Sequence, residues 1–199
     1  MNQVAALNSA LDELLERVRP LLVLVTNRRR GAGAGVLAGD GLVLTNLHVV
    51  GRARSMLVVL DDETSFEARV IAGDPHVDLA LLKIPANGHP AAVFSTATPR
   101  PGELVYAFGH PWGQRNVLTG GVLSAVTTLR GRNGEIPVLR ADVQLGPGNS
   151  GGPLLNAAGE VIGLNAMIFG GDQSVAIPAS LIRSFLAGVP KDKMAEDIL

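Results

Sequence analysis

The chain has 199 residues, 47% of them hydrophobic and 18% charged, with a formal net charge of −1 and no cysteine. This length suits one large domain or two small barrels sharing a core, and the balance is that of a folded globular chain rather than a disordered one. The near-zero charge gives no electrostatic reason to expect nucleic acid as a partner, and the lack of cysteine excludes disulfides, thiolate chemistry and Cys-based zinc sites.

The opening residues, MNQVAALNSALDELLERVRP, lack a basic stretch followed by an apolar core, so they read poorly as a signal peptide. On that ground the cytosol is favoured, with the cell envelope as the alternative if a leader has been removed. Residues 1–19 read as an N-terminal helix: Leu7, Leu11, Leu14, Leu15 and Val18 share one face, and Asp12, Glu13 and Glu16 take the other. Pro20 ends it. The apolar face is expected to pack on the body of its own domain, with a subunit contact as the alternative. Arg28, Arg29 and Arg30 read as a solvated loop rather than an anion-binding patch.

Beyond Pro20, short apolar runs such as LLVLVTN, GVLAGDGLVLTN, SMLVVLDD, LALLKIP and ELVYAFGH are punctuated every ten or so residues by Gly, Asp, Asn or Pro. That is the pattern of antiparallel strands in a sandwich or barrel. AGDG (38–41) and NAAGE (156–160) look like hairpin turns. The proline-rich stretch 85–102 is the candidate crossing between two barrels. Residues 178–188 read as a C-terminal helix and 189–199 as a polar, frayed tail. No apolar run is long enough for a spanning helix, so no stable membrane insertion is expected.

Three segments carry chemistry. GPGNSGGP (146–153) surrounds Ser150 with glycines, which permit a tight turn and a close approach to the backbone. A nucleophilic serine needs such a turn, with N–H groups converging where an oxyanion forms; Gly148 and Ser150 are placed to supply them. TNLHVV (45–50) puts His48 at a strand end, where a lone histidine is more often structural. DLALLKI (78–84) begins with Asp78 among apolar neighbours; a buried carboxylate there needs a partner, and an imidazole N–H is a good one. Taken together, the order His48, Asp78, Ser150 is that of chymotrypsin-like enzymes, which draw the first two groups from one barrel and the serine from the other.

The sequence resembles the HtrA/Deg family of trypsin-like serine proteases. The resembling stretches are 31–50, 74–84, GELVYAFGHPWG (102–113), LTGGVLSAV (118–126), ADVQLGPGNSGGPLLNAAGEVIGLNAM (141–167) and VAIP (175–178). The resemblance implies an all-β fold of two six-stranded antiparallel barrels of chymotrypsin/trypsin type, flanked by the two helices. It divides 20–188 into a first barrel (20–90), a crossing segment (91–100), a second barrel (101–177) and the C-terminal helix. It implies His48, Asp78 and Ser150 as the triad and Gly148 and Ser150 as oxyanion-hole donors, with Asn149 between them. Asn165, Ala166 and Met167 are expected to pair their backbone with an extended substrate, and Gln144, Leu145 and Val175 to wall a small apolar primary pocket. The implied activity is a serine endopeptidase acting through an acyl-enzyme on unfolded or exposed polypeptide, with Val, Ala, Leu or Ile preferred before the scissile bond. The alternative is a binding or chaperone-like module with a closed site.

Several features depart from the family pattern. No PDZ domain follows residue 188 in this sequence, so peptide sensing through one is expected to be absent from this chain or to have been cut away. Residues 1–30 contain no Phe, Tyr or Trp, the residues that often tie the relatives' trimers, so a homotrimer stays open. His110–Pro111 replaces the usual Asn-Pro, and His110 is expected to be structural. The loop IFGGDQS (168–174) is short for a family in which such loops switch the oxyanion hole. The lack of cysteine points to a bacterial relative, because secreted animal proteases of this type usually carry disulfides. His76 and His89 are expected to be solvated, and Phe108 and Trp112 to pack the second barrel. No cofactor is implied. The four histidines show no metal-ligand spacing, so no metal site is expected.

Overall fold

Several strands of the first half are apolar at most positions because each of their two faces is buried in a different core. Along β1 (Leu22–Thr26), Val23 and Val25 point into one hydrophobic cluster and Leu22 into another. β3 (Leu42–Asn46) alternates in the same way, with Val43 on one side and Leu42 and Leu44 on the other. The period-2 geometry of a strand makes this division unavoidable. The computed structural model describes residues 2–27, 31–86, 88–131, 134–169 and 173–195. Residues 28–30, part of the 168–174 loop and the last four residues lie outside that set.

β1, β2 (Ala32–Gly39), β3, β4 (Ser55–Val59), β5 (Ser65–Asp74) and β6 (Leu79–Lys83) close into a barrel in the order β1-β2-β3-β6-β5-β4. β7 (Leu104–Gly109), β8 (Val117–Gly131), β9 (Gly134–Asp142), β10 (Pro153–Asn156), β11 (Val161–Phe169) and β12 (Gln173–Pro178) close a second, in the order β10-β11-β12-β9-β8-β7. All named strand pairs are antiparallel. The fold is therefore the chymotrypsin-like double barrel. Asp40 and Gly41 turn the β2–β3 hairpin with positive φ, and Asn156–Glu160 closes the β10–β11 hairpin.

Three clusters make up the core. Val58 and Leu82 help fill the first barrel, and Leu123, Leu139 and Leu154 the second. The largest cluster joins the barrels, combining Val36, Leu44 and Leu81 with Phe108, Leu155 and Leu164. Leu14 and Val18 of α1 (Gln3–Val18) and Ile182 of α3 (Ala179–Gly188) cap it. The crossing segment is stitched to both sides: Ala92 donates to the Leu37 carbonyl at 2.9 Å and Ser95 to that of Val161 at 2.9 Å.

Three details differ from the sequence expectation. α1 starts at Gln3 because the Asn2 side chain caps it, accepting from Val4 N–H. Its lower turns pack on the body, whereas Val4 and Leu7 stay exposed. The expected frayed tail contains a short helix, α4 (Lys191–Ala195). Phe108 is fully buried, but Trp112 is 76% exposed, because the turn that carries it (Pro111–Gly113) lies on the surface.

Phe108 belongs to the cluster shared by both barrels, so Phe108→Ala should destabilise the protein by ~3–5 kcal/mol. Urea denaturation of wild type and variant measures this. A loss under about 1 kcal/mol would mean that the barrel junction collapses around the gap.

Candidate active site

β3 and β6 are neighbours in register, with Asn46 opposite Leu79. The residues just past the end of β3 therefore meet the residue just before β6. The first group begins α2 (Leu47–Val50) and includes His48; the second residue is Asp78. Asp78 is held there at φ 56°, a conformation that costs a non-glycine residue of order 1 kcal/mol or more. Its carbonyl accepts from Leu47 N–H at 3.1 Å and from Asn46 Nδ2 at 3.0 Å.

The Asp78 carboxylate is aimed at His48 twice. Oδ1 accepts from the His48 backbone N–H at 2.8 Å, and Oδ2 pairs with Nδ1 at 2.6 Å. An ionised carboxylate only accepts, so Nδ1 carries the proton and Nε2 presents its lone pair. The acid is less buried than expected, with its side chain 35% exposed.

Ser150 comes from the loop between β9 and β10 and is clamped onto the first barrel. Ala34 N–H of β2 donates to the Ser150 carbonyl at 2.8 Å. Gly151, at φ 86°, has no room for a side chain: a Cβ would lie 2.1 Å from the Ala34 carbonyl and 2.2 Å from Thr45 Oγ1. Gly152 N–H donates to the Asn149 carbonyl at 3.0 Å, and Trp112 N–H donates to the Pro147 carbonyl at 2.8 Å. Because peptides are planar and trans, the Ser150 and Gly148 N–H groups point away from those bonded carbonyls. Among the described residues neither N–H donates to a protein acceptor.

His48, Leu145, Gly146, Pro147, Asn149, Ser150 and Ala166 line a cavity of about 240 Å³. A larger one, about 470 Å³, lies between α3 and the β5–β6 turn, but it holds no nucleophile beside a base. Ser150 and His48 face the same cavity without a hydrogen bond between them. The Ser150 hydroxyl donates instead to the Ala166 carbonyl at 3.0 Å. That carbonyl is available because the β11–β12 ladder shifts register between Asn165 and Met167, and such a bulge re-aims the backbone.

Several expected substrate contacts are placed differently. Asn165 cannot pair with a substrate: its N–H donates to Gly152, its carbonyl accepts from Gly151, and its buried side chain donates to the Pro153 carbonyl. Its role is to brace the loop behind Ser150. Gln144 is turned to the surface, with its carbonyl bonded to Thr119 Oγ1, and Val175 is buried in the β12 ladder; neither lines the cavity. Leu145 and Ala166 do. Met167 belongs to β11, and its side chain lies outside the described set. β10 pairs with β11 only as far as Leu164, so among the described residues no strand pairs with the other edge of 166–169, where the Ala166 carbonyl accepts from the Ser150 hydroxyl. Pro147, which the sequence reading passed over, forms part of the cavity wall. Its only signal was its place beside the glycines. Among the described residues no group of three or more His, Cys, Asp or Glu side chains could hold a metal.

His110 is buried at 1% exposure, with Nδ1 accepting from Asn116 N–H at 3.2 Å. Its Nε2 lies near the Val23 backbone without a well-formed hydrogen bond. Burial, aided by Arg115, pushes its pKa down to about 4. His89 is half-buried, packing edge-on against Phe66, while His76 is exposed as expected.

Residues 33–164 match the family model of the trypsin-like peptidase domain. The chain is 42% identical over 143 residues to a probable periplasmic serine endoprotease DegP-like from Ectopseudomonas mendocina, covering 69% of this chain and 29% of that protein. It is 39% identical over 196 residues to serine protease HTRA1 from Xenopus tropicalis, covering 89% of this chain and 42% of the relative. It spans about a third of the length of the DegP-like relatives. Among solved structures, the serine endoprotease from Yersinia pestis superposes with a TM-score of 0.81 at 33% identity, over 91% of this chain and 66% of that one. The inactive form of the Rv3671c protease gives 0.81 at 25% identity, over 88% and 92%.

The buried His110 generates a prediction. The unfolded chain takes up a proton at this residue near pH 6.5, whereas the folded chain resists until about pH 4. Stability should therefore fall as the pH drops through that window, by about 3 kcal/mol from this group at most, and level off below it. Urea titrations of wild type and His110→Asn across pH 7 to 4 should give a shallower slope for the variant; equal slopes would contradict the assignment.

Proposed function

Because the chain belongs to the trypsin-like peptidase domain family, as an HtrA/Deg-like serine protease domain, we propose that it is a serine endopeptidase with Ser150 as nucleophile, His48 as general base and Asp78 as the group that orients the base. The observation that carries this reading is the His48–Asp78 pair, 2.6 Å apart, opening onto the cavity that Ser150 lines from the other barrel. Asp78 fixes the Nδ1–H tautomer and stabilises the imidazolium formed when Nε2 takes the serine proton. For attack, Ser150 Oγ turns from Ala166 toward His48 and adds to the peptide carbonyl. The oxyanion then meets the unbonded N–H groups of Gly148 and Ser150. His48 returns its proton to the leaving amine, and water hydrolyses the acyl-enzyme by the same route. Catalytic hydrogen bonds are often loose before substrate arrives, so the open Ser150–His48 step is compatible with this course.

The substrate proposed is an extended segment of unfolded or exposed polypeptide. The open edge of β11 at 166–169 suits β-strand addition. Leu145, Pro147 and Ala166 make an apolar wall with no carboxylate, which suits a small or medium aliphatic side chain and would leave Lys or Arg unpaired. Relatives named periplasmic favour the cell envelope over the cytosol as its compartment. A second reading, a binding module that holds polypeptide without cutting it, draws support from the Ser150 hydroxyl being turned to Ala166.

On an unfolded protein such as casein, Ser150→Ala should abolish cleavage while keeping the far-UV spectrum. Asp78→Asn should lower kcat by about 10⁴-fold, because the amide cannot hold the same tautomer. Peptides with Val, Ala, Leu or Ile before the scissile bond should be cut faster than those with Lys or Arg. Turnover retained by Ser150→Ala would mean another nucleophile, and binding of casein without any cut by the wild type would favour the second reading.

A further inference from the structure

Loop 110–116 forms the wall behind Gly148. His110 N–H donates to the Gly148 carbonyl at 3.3 Å and Trp112 N–H to the Pro147 carbonyl at 2.8 Å, so the peptides on either side of Gly148 are bonded to this loop. A Cβ at Gly148 would lie 2.2 Å from the His110 carbonyl, which shows how closely the two backbones meet. Within the loop, Gly113 N–H donates to the His110 carbonyl at 3.2 Å and Gln114 N–H to the Pro111 carbonyl at 2.9 Å, but the backbone there is strained. Trp112 is 76% exposed, and Trp112 and Asn116 both have positive φ, 55° and 58°. Non-glycine residues persist there only when their surroundings over-determine them.

Polar contacts with the first barrel supply that constraint. Asn116 Nδ2 donates to Asp61 Oδ1 at 2.6 Å, and Arg115 donates to the Leu60 carbonyl at 2.7 Å, both across 55 residues of sequence. Asp61 also accepts from Arg19 Nε at the end of α1, 3.0 Å from Oδ1 and 2.9 Å from Oδ2. From Asn116 the line continues through its N–H to His110 Nδ1, an acceptor that stays available because burial keeps the imidazole neutral. Only the NH₂ end of the Asn116 amide can face a carboxylate, so its orientation is determined.

Resting on the endopeptidase reading above, we propose that Asp61 and Asn116 are positioning residues: a strut from the first barrel that sets loop 110–116 and thereby aims the Gly148 N–H at the oxyanion. They touch neither substrate nor the reacting atoms. Their effect should therefore appear in the transition state and not in substrate binding.

The test compares Asp61→Ala, Asp61→Asn, Asn116→Gly and the Asp61→Ala/Asn116→Gly double variant. Asn116→Gly removes the amide while keeping a residue at ease at φ 58°. Kinetics on a fluorogenic aliphatic peptide should show kcat about tenfold or more below wild type in Asp61→Ala and Asn116→Gly, short of the 10²–10³ lost with a whole oxyanion donor, and KM within about twofold. Asp61→Asn keeps an acceptor oxygen and should recover much of the rate. The double variant should lose no more than either single one, because both cut the same line. The Gly148 amide resonance in a ¹H–¹⁵N spectrum should move in the same variants while circular dichroism stays unchanged. Wild-type kcat in Asp61→Ala and Asn116→Gly, multiplying losses in the double variant, or a stationary Gly148 resonance would each overturn the strut. A merely structural role would lower Tm and leave kcat alone. If the wild type itself turned over no peptide, the endopeptidase reading would fall, and the Gly148 resonance would still decide on the strut.

Discussion

The site depends on one backbone hydrogen bond between the barrels, from Ala34 N–H to the Ser150 carbonyl at 2.8 Å. Ala34 lies in β2, next in the barrel to β3, whose end carries His48. Ser150 lies 116 residues further along the chain, so nothing local brings the hydroxyl to the imidazole. The junction requires a residue without a side chain at 151, because Ala34 O and Thr45 Oγ1 occupy the space a Cβ would need. Phe108, Leu164 and Val36 seal the same seam with apolar contact. The geometry of the candidate site and core packing are thus two aspects of one interface.

Within each half, the side chains are set by cheaper means. The β3–β6 register places Asp78 beside His48 before any contact with the second barrel, and Asn46 and Leu47 hold the acid by its own carbonyl. The strain at Asp78 is offset by four hydrogen bonds: two accepted at the carbonyl and two at the carboxylate. The second barrel contributes the loop and its bonded carbonyls, which leave the Gly148 and Ser150 N–H groups without a protein acceptor among the described residues. On the proposed course the hydroxyl is the part that moves, leaving its bond to Ala166.

Much of this was legible in the sequence. Strand runs, hairpin turns and helices are local, and the glycines around Ser150 state a steric requirement that residue type alone reveals. The double barrel itself came from the resemblance, since alternating runs do not distinguish a sandwich from a barrel. What stayed illegible depends on packing between distant segments. Asn165 looked like a substrate contact, but Gly151 and Gly152 fold back to claim its backbone. Trp112 looked like core, but a turn with positive φ carries it to the surface. Val175 and Gln144 were assigned to the pocket by the resemblance, which says nothing about the bulge at Ala166 that redraws the wall. The contact of Asp61 with Asn116 joins two loops whose sequences carry no mark of each other.

The central claim is that folding makes Ser150 a nucleophile by bringing it to the His48–Asp78 pair. Treating the folded protein with a fluorophosphonate and locating the adduct by peptide mass spectrometry tests this most directly. The account predicts a single modification on the peptide carrying Ser150, which disappears when the protein is unfolded before treatment. Folded protein left unmodified, or an adduct on a different serine, would contradict it.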